Sequence, residues 1–331
     1  TLSNAGAYGE HSPTTVGLSG HKSIALYRHT EAYRFAYDVV YTNVQAAGAY
    51  RGYGATQGIY AVESAVNELA EIMGMDPVKI RELNMPLQGE PLPAYGDCDT
   101  AESCTMDQCM ERAKEMMNWD EKYPCKDLGN GKVRGVGVAM AMQGSSIAGI
   151  DVGGADMKLN EDGSYTLGLG CADMGTGCDT ILAQMAADCM ETSIDNIVVF
   201  GVDTDISPYD SGSYASATTY TTGMAVVQSC QELRGRICAL GAKILQADPK
   251  EVNFDGEFVF TDEEHKVSLK DIAIQGTCGN SQELQVTRTY SSPVSPPPFM
   301  VGMAEVEVDK ETGSTKVIDY VAVVDLSLIH I

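Results

Sequence analysis

Three segments of the sequence share one pattern, in which an extended run leads through a turn of small residues into a helix. They are Gly48–Gly58, Cys171–Thr180 and Ser211–Thr222. Such a turn places several backbone N–H groups at the positive end of the helix dipole, which suits phosphate and other anions. Glycines let the backbone approach a ligand closely. The pattern restricts the chain to mixed strands and helices and predicts an anionic ligand; a turn that only caps its helix is the alternative.

The segments around these turns predict an α+β fold, with mixed sheets and helices. Runs of β-branched and aromatic residues predict strands at Tyr33–Val44 and Val133–Met142. Acid-and-glycine turns flanked by alternating residues predict hairpins around Glu161–Gly163 and Glu311–Gly313. Because hairpins alternate with helical segments, we expect sheets that are not purely parallel.

Helices are predicted from apolar spacing and from capping residues. The first follows the first turn, with apolar residues at Ile59, Val62, Val66, Leu69 and Met73. Gly74 is typical of a helix C-cap, and Asp76, followed by a proline, predicts the start of a second helix. We expect further helices at Thr105–Trp119, with methionines in the core, and from the third turn to about Leu245. Pro86–Thr100 is predicted to be a linker.

Charge and length exclude several classes of function. The chain has 331 residues, with 46 acidic and 22 basic side chains and a net charge of −24. Nucleic acids and anionic membrane surfaces both require clustered basic residues, so neither is an expected partner. No apolar run approaches the roughly 18 residues of a membrane span, and no leader-like segment opens the sequence. We therefore expect a cytoplasmic protein.

Common catalytic and metal-binding motifs are missing from the sequence. Ten cysteines are scattered without a C-x-x-C pair, and Cys98, Cys104 and Cys109 do not match a ferredoxin pattern. We expect reduced thiols and no metal held by protein ligands. The sequence also contains no P-loop, no dinucleotide-binding fingerprint and no G-x-S-x-G elbow. A chain with anion-binding turns but no evident nucleophile is typical of a protein whose cofactor carries the chemistry.

Five motifs occur in an order that resembles a known family. They are SNAG, GAYRGYGATQG, NELAEIMGMDPVKIRELNM, DMGTG and YASATT. Together they resemble the large, molybdopterin-binding subunit of the xanthine dehydrogenase and aldehyde oxidase family, in its bacterial xanthine or nicotinate dehydrogenase form. The resemblance covers Ser3 to Asp325 and implies a two-part molybdopterin-binding architecture. Molybdenum in this family is held by the pterin dithiolene, often as a cytosine dinucleotide in bacteria, and takes no protein ligand.

The resemblance implies cofactor-binding residues in all three turns. They are Ala49, Tyr50, Arg51 and Gly52 in the first turn, Met174, Gly175 and Thr176 in the second, and Ala215, Ser216, Thr218 and Thr219 in the third. Arg51 would place fixed positive charge next to an anionic oxo-metal centre, while the glycines allow close approach of the backbone. Hydroxyl groups of the third turn would hold phosphate.

The resemblance also implies substrate-contacting residues, but the chain departs from the family pattern at several of these positions. Tyr53 matches the aromatic residue that packs on a flat substrate, and Ser145 and Ser146 stand where animal xanthine enzymes have Phe and Thr. Thr176 replaces a frequent Gln of the second turn, which removes an amide near the metal. The arginine that contacts purines in the family is replaced in this chain, near Ile24. A purine is therefore only one of several substrates that we consider. Candidates to substitute for that arginine are His21, Lys22 and Arg28.

The resemblance implies a molybdenum hydroxylase that oxidises an N-heterocycle such as xanthine, hypoxanthine or nicotinate, or an aldehyde, with water as the oxygen source. Its electrons would pass to 2Fe–2S and FAD groups on partner subunits, which implies a hetero-oligomer. The catalytic glutamate of the family lies in a late Gly-Glu-Pro loop, which we place outside this chain. The chain alone is therefore expected to be inactive.

The resemblance also suggests a division of the chain. Residues 1–90 correspond to the C-terminal part of a first molybdopterin-binding domain, 91–131 to a linker and helix, and 132–325 to part of a second domain. Residues 326–331 match a translated sequencing adapter, so we expect a fragment with an artefactual tail. A naturally split subunit completed by another chain, and a non-catalytic scaffold in which the turns only pack, are the alternatives.

Overall fold

The computed structural model describes residues 2–9, 11–92, 95, 100–278 and 284–326. Two compact units are present: one is formed by residues up to Ser145 and from Ser295 onward, and the other by Ser146–Val294. Cys98 and most of the predicted tail lie outside the described residues. No helix in the described part of the chain is both long enough and apolar enough to cross a membrane.

Helices and strands alternate along the chain, as the α+β prediction requires. The helices are α1 (Ser12–Ile24), α2 (Ala55–Met73), α3 (Pro77–Asn84), α4 (Met106–Met117), α5 (Trp119–Lys122), α6 (Cys178–Cys189), α7 (Gly223–Leu245) and α8 (Leu269–Cys278). The strands are β1 (Leu2–Gly6), β2 (Asp38–Tyr41), β3 (Cys125–Asp127), β4 (Lys132–Met142), β5 (Gly153–Leu159), β6 (Tyr165–Leu169), β7 (Ile197–Phe200), β8 (Asn253–Phe254), β9 (Phe258–Phe260), β10 (Lys266–Ser268), β11 (Gln285–Tyr290), β12 (Phe299–Asp309) and β13 (Thr315–Asp325).

The first unit is built on an antiparallel sheet with the strand order β13-β12-β4-β3. The long β12–β13 hairpin confirms the prediction around Glu311–Gly313, and β4 confirms the strand predicted at Val133–Met142. α4 packs on β12 and β13, and its buried methionines confirm their predicted place in the core. The large side chains of this core include Met106, Met110, Met117, Trp119, Met140 and Phe299.

Two glycines allow the backbones of α1 and α2 to come into direct contact where the helices cross. A Cβ atom on Gly54 would lie 2.0 Å from the carbonyl oxygen of Thr15, and one on Gly58 would lie 1.9 Å from that of Ser19. Both pairs are spaced by four residues, so they stack along one face of each helix. The glycines of the first turn therefore have a packing role in addition to any ligand that the turn binds.

A buried network joins α2, α3 and β4. The Arg81 Nε atom lies 2.8 Å from Glu63 Oε2, and both side chains are almost fully buried. The same carboxylate oxygen accepts the Met140 amide at 2.7 Å, and Tyr27 donates its hydroxyl to the other oxygen. Burial and the neighbouring Glu63 charge strongly raise the pKa of Tyr27.

The second unit contains the sheet β11-β5-β6-β7, in which only the β6–β7 pair is parallel. The β5–β6 hairpin, the helix after the second turn and the long α7 confirm three predictions made from the sequence. α7 packs on β5 and β11, and α6 packs on α7. The shared core includes Leu167, Leu182, Leu233, Ile237 and Leu240.

Several predicted elements differ from the structure. The strand predicted at Tyr33–Val44 is restricted to β2, which pairs in parallel with β1, and α1 was not predicted. Leu69 and Met73 of α2 are 47 % and 56 % exposed, whereas Glu63 is buried, because Arg81 and a backbone amide neutralise and hydrogen-bond that carboxylate. Apolar spacing alone therefore misplaced part of the buried face of α2.

The compact units do not coincide with the predicted domain limits. β12 and β13 return to the sheet that contains β4, so the last described residues belong with the first unit. The predicted linker contributes Tyr95, which is completely buried, and a bridge between Pro91 and Thr100. The limits of the cofactor-binding domains themselves stay a prediction.

Candidate functional site

The second and third turns meet in the second unit. The Ser213 hydroxyl donates to the Ala172 carbonyl at 3.2 Å, which joins the third turn to the second. The Ser146 amide donates to the Ala215 carbonyl at 2.9 Å. Ser146, predicted to contact substrate, and Ala215, predicted to contact the cofactor, are therefore neighbours. The two serines of that prediction fall in different units, since the first unit ends at Ser145.

The contact between Ser146 and the third turn involves a strained backbone. Ser146, Ala215 and Ser216 have φ angles of 78°, 52° and 60°. The Ala217 amide donates to the Tyr214 carbonyl at 3.1 Å, which closes a turn with two left-handed central residues. Each such conformation costs a non-glycine residue about 1–2 kcal/mol. Strain of this kind is concentrated at binding and catalytic sites, where the surrounding structure enforces it.

Thr218 and Thr219 begin a π-helical turn, Thr218–Thr222, that leads directly into α7. Both threonines are half-buried, and Ser216 is exposed. The Thr222 hydroxyl donates to Asp210 at 2.9 Å, which anchors the end of the turn. Single π turns occur frequently at functional sites, because the wider turn redirects side chains. The hydroxyl groups predicted to hold phosphate thus stand on an irregular helix entry.

The second turn differs from the predicted anion site in one respect. Asp173 Oδ1 accepts the amides of Gly175, Thr176 and Gly177 at 2.7, 2.9 and 3.2 Å. These are the N–H groups that we expected to be free for an anionic ligand, and the Gly175 amide is the largest cause of the lowered pKa of Asp173. An Asp side chain that accepts backbone amides of the residues just after it is a common feature of turns, which the glycine pattern obscured.

The same Asp173 carboxylate belongs to a small group of potential metal ligands. Asp173, Cys178 and Asp179 place one ligand atom each within 4.8 Å of one another. Burial raises the pKa of the Cys178 thiol, which disfavours the thiolate that a metal requires. Hydrogen bonds within the turn account for this arrangement without a metal ion. Met174, at the tip of the turn, is 62 % exposed.

The first turn lies in the first unit and exposes its charged residue. Arg51, Ala49 and Tyr50 are exposed, and Arg51 has no ion-pair partner within the described ranges. The Gly52 carbonyl accepts from Gln143 Nε2 at 2.7 Å, which fixes the turn against the end of β4. The Tyr53 ring is buried, and its hydroxyl lies 3.1 Å from His11 Nδ1.

A cavity of about 260 Å³ opens beside the first turn. Its lining includes Asn4, Ser12, Thr15, Gly48, Gly54 and Gln57, and none of the described residues that line it is acidic. In a chain with a net charge of −24, such a lining suits the polar and anionic parts of an organic cofactor. A larger cavity of about 750 Å³ in the same unit is lined by Glu82, Asp107, Glu111 and Glu115 and does not suit an anion.

Two family models match most of the chain. Both are described as a molybdopterin cofactor-binding domain, and they match residues 1–85 and 112–329. The xanthine dehydrogenase molybdenum-binding subunit of Escherichia coli O157:H7 is 31 % identical over 317 residues, which are 93 % of this chain and 42 % of the relative. The nicotine 6-hydroxylase large subunit of Paenarthrobacter nicotinovorans is 26 % identical over 321 residues, 90 % of this chain and 39 % of the relative.

A solved structure of carbon monoxide dehydrogenase from Oligotropha carboxidovorans has the same fold, with a TM-score of 0.79 at 22 % identity. The match covers 98 % of this chain and 43 % of that protein. The chain therefore spans less than half the length of the relatives it matches. Since two family models together cover nearly all of it, the chain belongs to the molybdopterin cofactor-binding family of the xanthine dehydrogenase type.

Proposed function

We propose that this chain is part of the molybdenum-binding subunit of a hydroxylase that oxidises an N-heterocycle, with water as the oxygen source. Relatives that act on xanthine and nicotine, both N-heterocycles by name, support this substrate class. Aldehydes are the second candidate, because an aldehyde oxidoreductase shares the fold. Tyr53, Ser145 and Ser146 stay predicted substrate contacts.

The cavity beside the first turn, whose described lining residues include no acid, is the observation that carries the proposal. Ser12, Thr15 and Gln57 offer neutral hydroxyl and amide groups there, and the exposed Gly48 leaves its backbone accessible. Molybdopterin, once bound, would supply the redox chemistry. Arg51 would contribute positive charge to an anionic centre, because its guanidinium group is exposed and not neutralised within the described residues.

The remaining cofactor assignments form part of the same proposal. Ala49, Tyr50, Arg51 and Gly52 of the first turn are proposed to bind the cofactor, as are residues of the second and third turns. Because Asp173 already uses three amides of the second turn, Met174 and Thr176 would contribute by side-chain contact. A cytosine dinucleotide on the pterin, 2Fe–2S and FAD partners and a cytoplasmic hetero-oligomer complete the proposal.

Release of a pterin on denaturation is the first test. The protein is purified from cells that synthesise molybdopterin, denatured and oxidised, and the fluorescent pterin is counted per chain. We expect a stoichiometric amount. A purified, folded protein that releases none would support the non-catalytic scaffold instead.

Replacement of Arg51 tests its place near the metal. In the assembled enzyme, Arg51→Ala should lower turnover about a hundredfold or more, the size of effect seen when a stabilising donor is lost. The pterin content should not change, because the cofactor is held by many other contacts. Arg112→Ala, which removes an exposed arginine of α4, is the control and should leave turnover unaltered. Unchanged turnover in Arg51→Ala would refute the assignment.

A further inference from the structure

Asp210 directly precedes the third turn and is not among the predicted site residues. Its Oδ2 atom accepts the hydroxyl group of Thr222 at 2.9 Å and the amide of Gly154 at 3.3 Å. Its Oδ1 atom accepts the amide of Gly212 at 2.9 Å. One half-buried carboxylate therefore connects β5 with both ends of the third turn.

The residue after Asp210 is bound to the same part of the sheet. The Ser211 amide donates to the Val152 carbonyl at 2.8 Å, and the Val152 amide donates to the Ser211 hydroxyl oxygen at 3.0 Å. Val152 directly precedes β5. These two bonds fix the position of the loop along the sheet, and the Asp210 carboxylate is thereby presented at one place beside β5.

Two glycines allow the ends of the third turn to approach the sheet closely. A Cβ atom on Gly153 would lie 2.5 Å from the Thr222 Cα atom, and one on Gly170 would lie 2.6 Å from the Asp210 Cβ atom. Only a residue without a Cβ atom fits at these distances. Gly170 directly precedes the second turn, so Asp210 lies where both the second and the third turn begin.

The left-handed residues of the third turn lie between two partners of Asp210. Ala215 and Ser216, with φ angles of 52° and 60°, follow Gly212 and precede Thr222. Thr222 is almost fully buried and ends the π-helical turn, directly before α7. Strained conformations persist only when the surrounding structure enforces them. Asp210 meets this requirement because its carboxylate holds the segment at both ends.

We propose that Asp210 is a positioning residue that holds both ends of the third turn against β5 and so enforces the conformation of Ala215 and Ser216. Its relevance to a cofactor rests on the proposed function, because these two residues are predicted cofactor contacts. The hydrogen bonds themselves do not depend on that function. Asp210 acts through Gly212 and Thr222 and not by touching a reacting atom.

Hydrogen exchange measured by mass spectrometry on the whole chain tests the proposal. Asp210→Ala removes the acceptor of all these side-chain bonds, so amides in peptides covering residues 150–156 and 211–222 should exchange about tenfold faster, the change that loss of a hydrogen bond to a charged group produces. Thr222→Val removes only the hydroxyl group and should accelerate exchange in the second peptide. Thr222→Ser retains the hydroxyl group and should restore the exchange rate of the wild type.

The two variants of Thr222 decide the question if Asp210→Ala does not fold. Unchanged exchange at residues 211–222 in Thr222→Val would overturn the proposal. Equally fast exchange in Thr222→Val and Thr222→Ser would also overturn it, because the effect would then come from the altered packing of the side chain and not from its bond to Asp210.

Asp255→Ala is the matched control. Asp255, in the same unit, accepts the amides of Glu257 and Phe258 at 3.0 and 2.7 Å, and exchange in the two peptides should stay as in the wild type. An equal increase in this control would show that loss of any such carboxylate loosens the unit, and the positioning role would be rejected. Pterin content, measured in parallel, separates the two proposals: a wild type without pterin contradicts the proposed function and leaves the exchange result valid.

Discussion

Glu63 and Arg81 show how a single pair of residues fixes several elements of the first unit. The carboxylate receives Arg81 from α3, the Met140 amide from β4 and the hydroxyl of Tyr27. Arg81 further donates to the carbonyls of Pro77 and Glu63. A buried charge pair of this kind adds little net stability by itself, but removal of one partner leaves the other charge buried and unpaired.

We expect Arg81→Ala to lower the free energy of unfolding by about 3–5 kcal/mol, because Glu63 would lose its cation inside the core. Urea denaturation followed by the fluorescence of Trp119, the one tryptophan of the chain, reports on this unit. Arg112→Ala, which breaks an exposed ion pair on α4, should cost less than about 1 kcal/mol. Similar losses in the two variants would contradict the proposed importance of burial.

At this scale the sequence predicted residue types better than their partners. Arg51 lies exposed in its turn, whereas the buried carboxylate of Glu63 and the backbone hydrogen bonds of the exposed Asp173 were not predicted. The partners of Glu63 lie 18, 36 and 77 residues away, and such distances leave no periodic signal. The hydrogen bonds of Asp173 were within reach of sequence reasoning, since an Asp side chain commonly accepts backbone amides of the residues that follow it in a turn.

At the scale of whole elements, the packing of α1 against α2 depends on two glycines, which carry no side chain. Gly54 faces the carbonyl group of Thr15, and Gly58 faces that of Ser19. A Cβ atom on either glycine would lie too close to that carbonyl oxygen. The helices and strands with strong local signals were predicted, including α2, α4, α7 and the two hairpins. α1 was missed because its small residues give weak apolar spacing, and its position is set by this packing contact.

Gly58→Ala should therefore destabilise the first unit by about 1–3 kcal/mol, the usual cost of overpacking, although alanine favours helices. Thermal unfolding followed by circular dichroism measures the effect. Gly235→Ala is the matched control, because Gly235 also lies inside a helix and has open space where the methyl group would go. It should stabilise the protein by about 0.5–1 kcal/mol. The same sign of change in both variants would rule out close packing as the cause.

For the molecule as a whole, the excess of acids is the dominant electrostatic feature. A net charge of −24 keeps molecules apart in solution but also makes the folded chain repel itself. The sequence predicted the charge and the fold class, but not the grouping of the last strands with the first unit. That grouping arises from pairing of β12 with β4, a contact between residues that are remote in the sequence.

Added salt should raise the melting temperature. An increase in NaCl from about 0.01 M to about 0.5 M shortens the Debye length from roughly 30 Å to below 10 Å and screens the repulsion between carboxylates. Calorimetry in NaCl and in KCl should give equal increases, since screening depends on ionic strength and not on the cation. A constant or falling melting temperature would show that repulsion does not limit stability.

The antiparallel ladder between β4 and β12 has a mechanical consequence. Its register runs from Met142 opposite Phe299 to Lys132 opposite Asp309, and the whole second unit is inserted in the chain between Met142 and Phe299. Tension applied to the chain on either side of this sheet must first peel β13 away and then unzip the ladder pair by pair. The inserted unit bears no load until the last pair opens, so the sheet of the first unit shields the second from mechanical force.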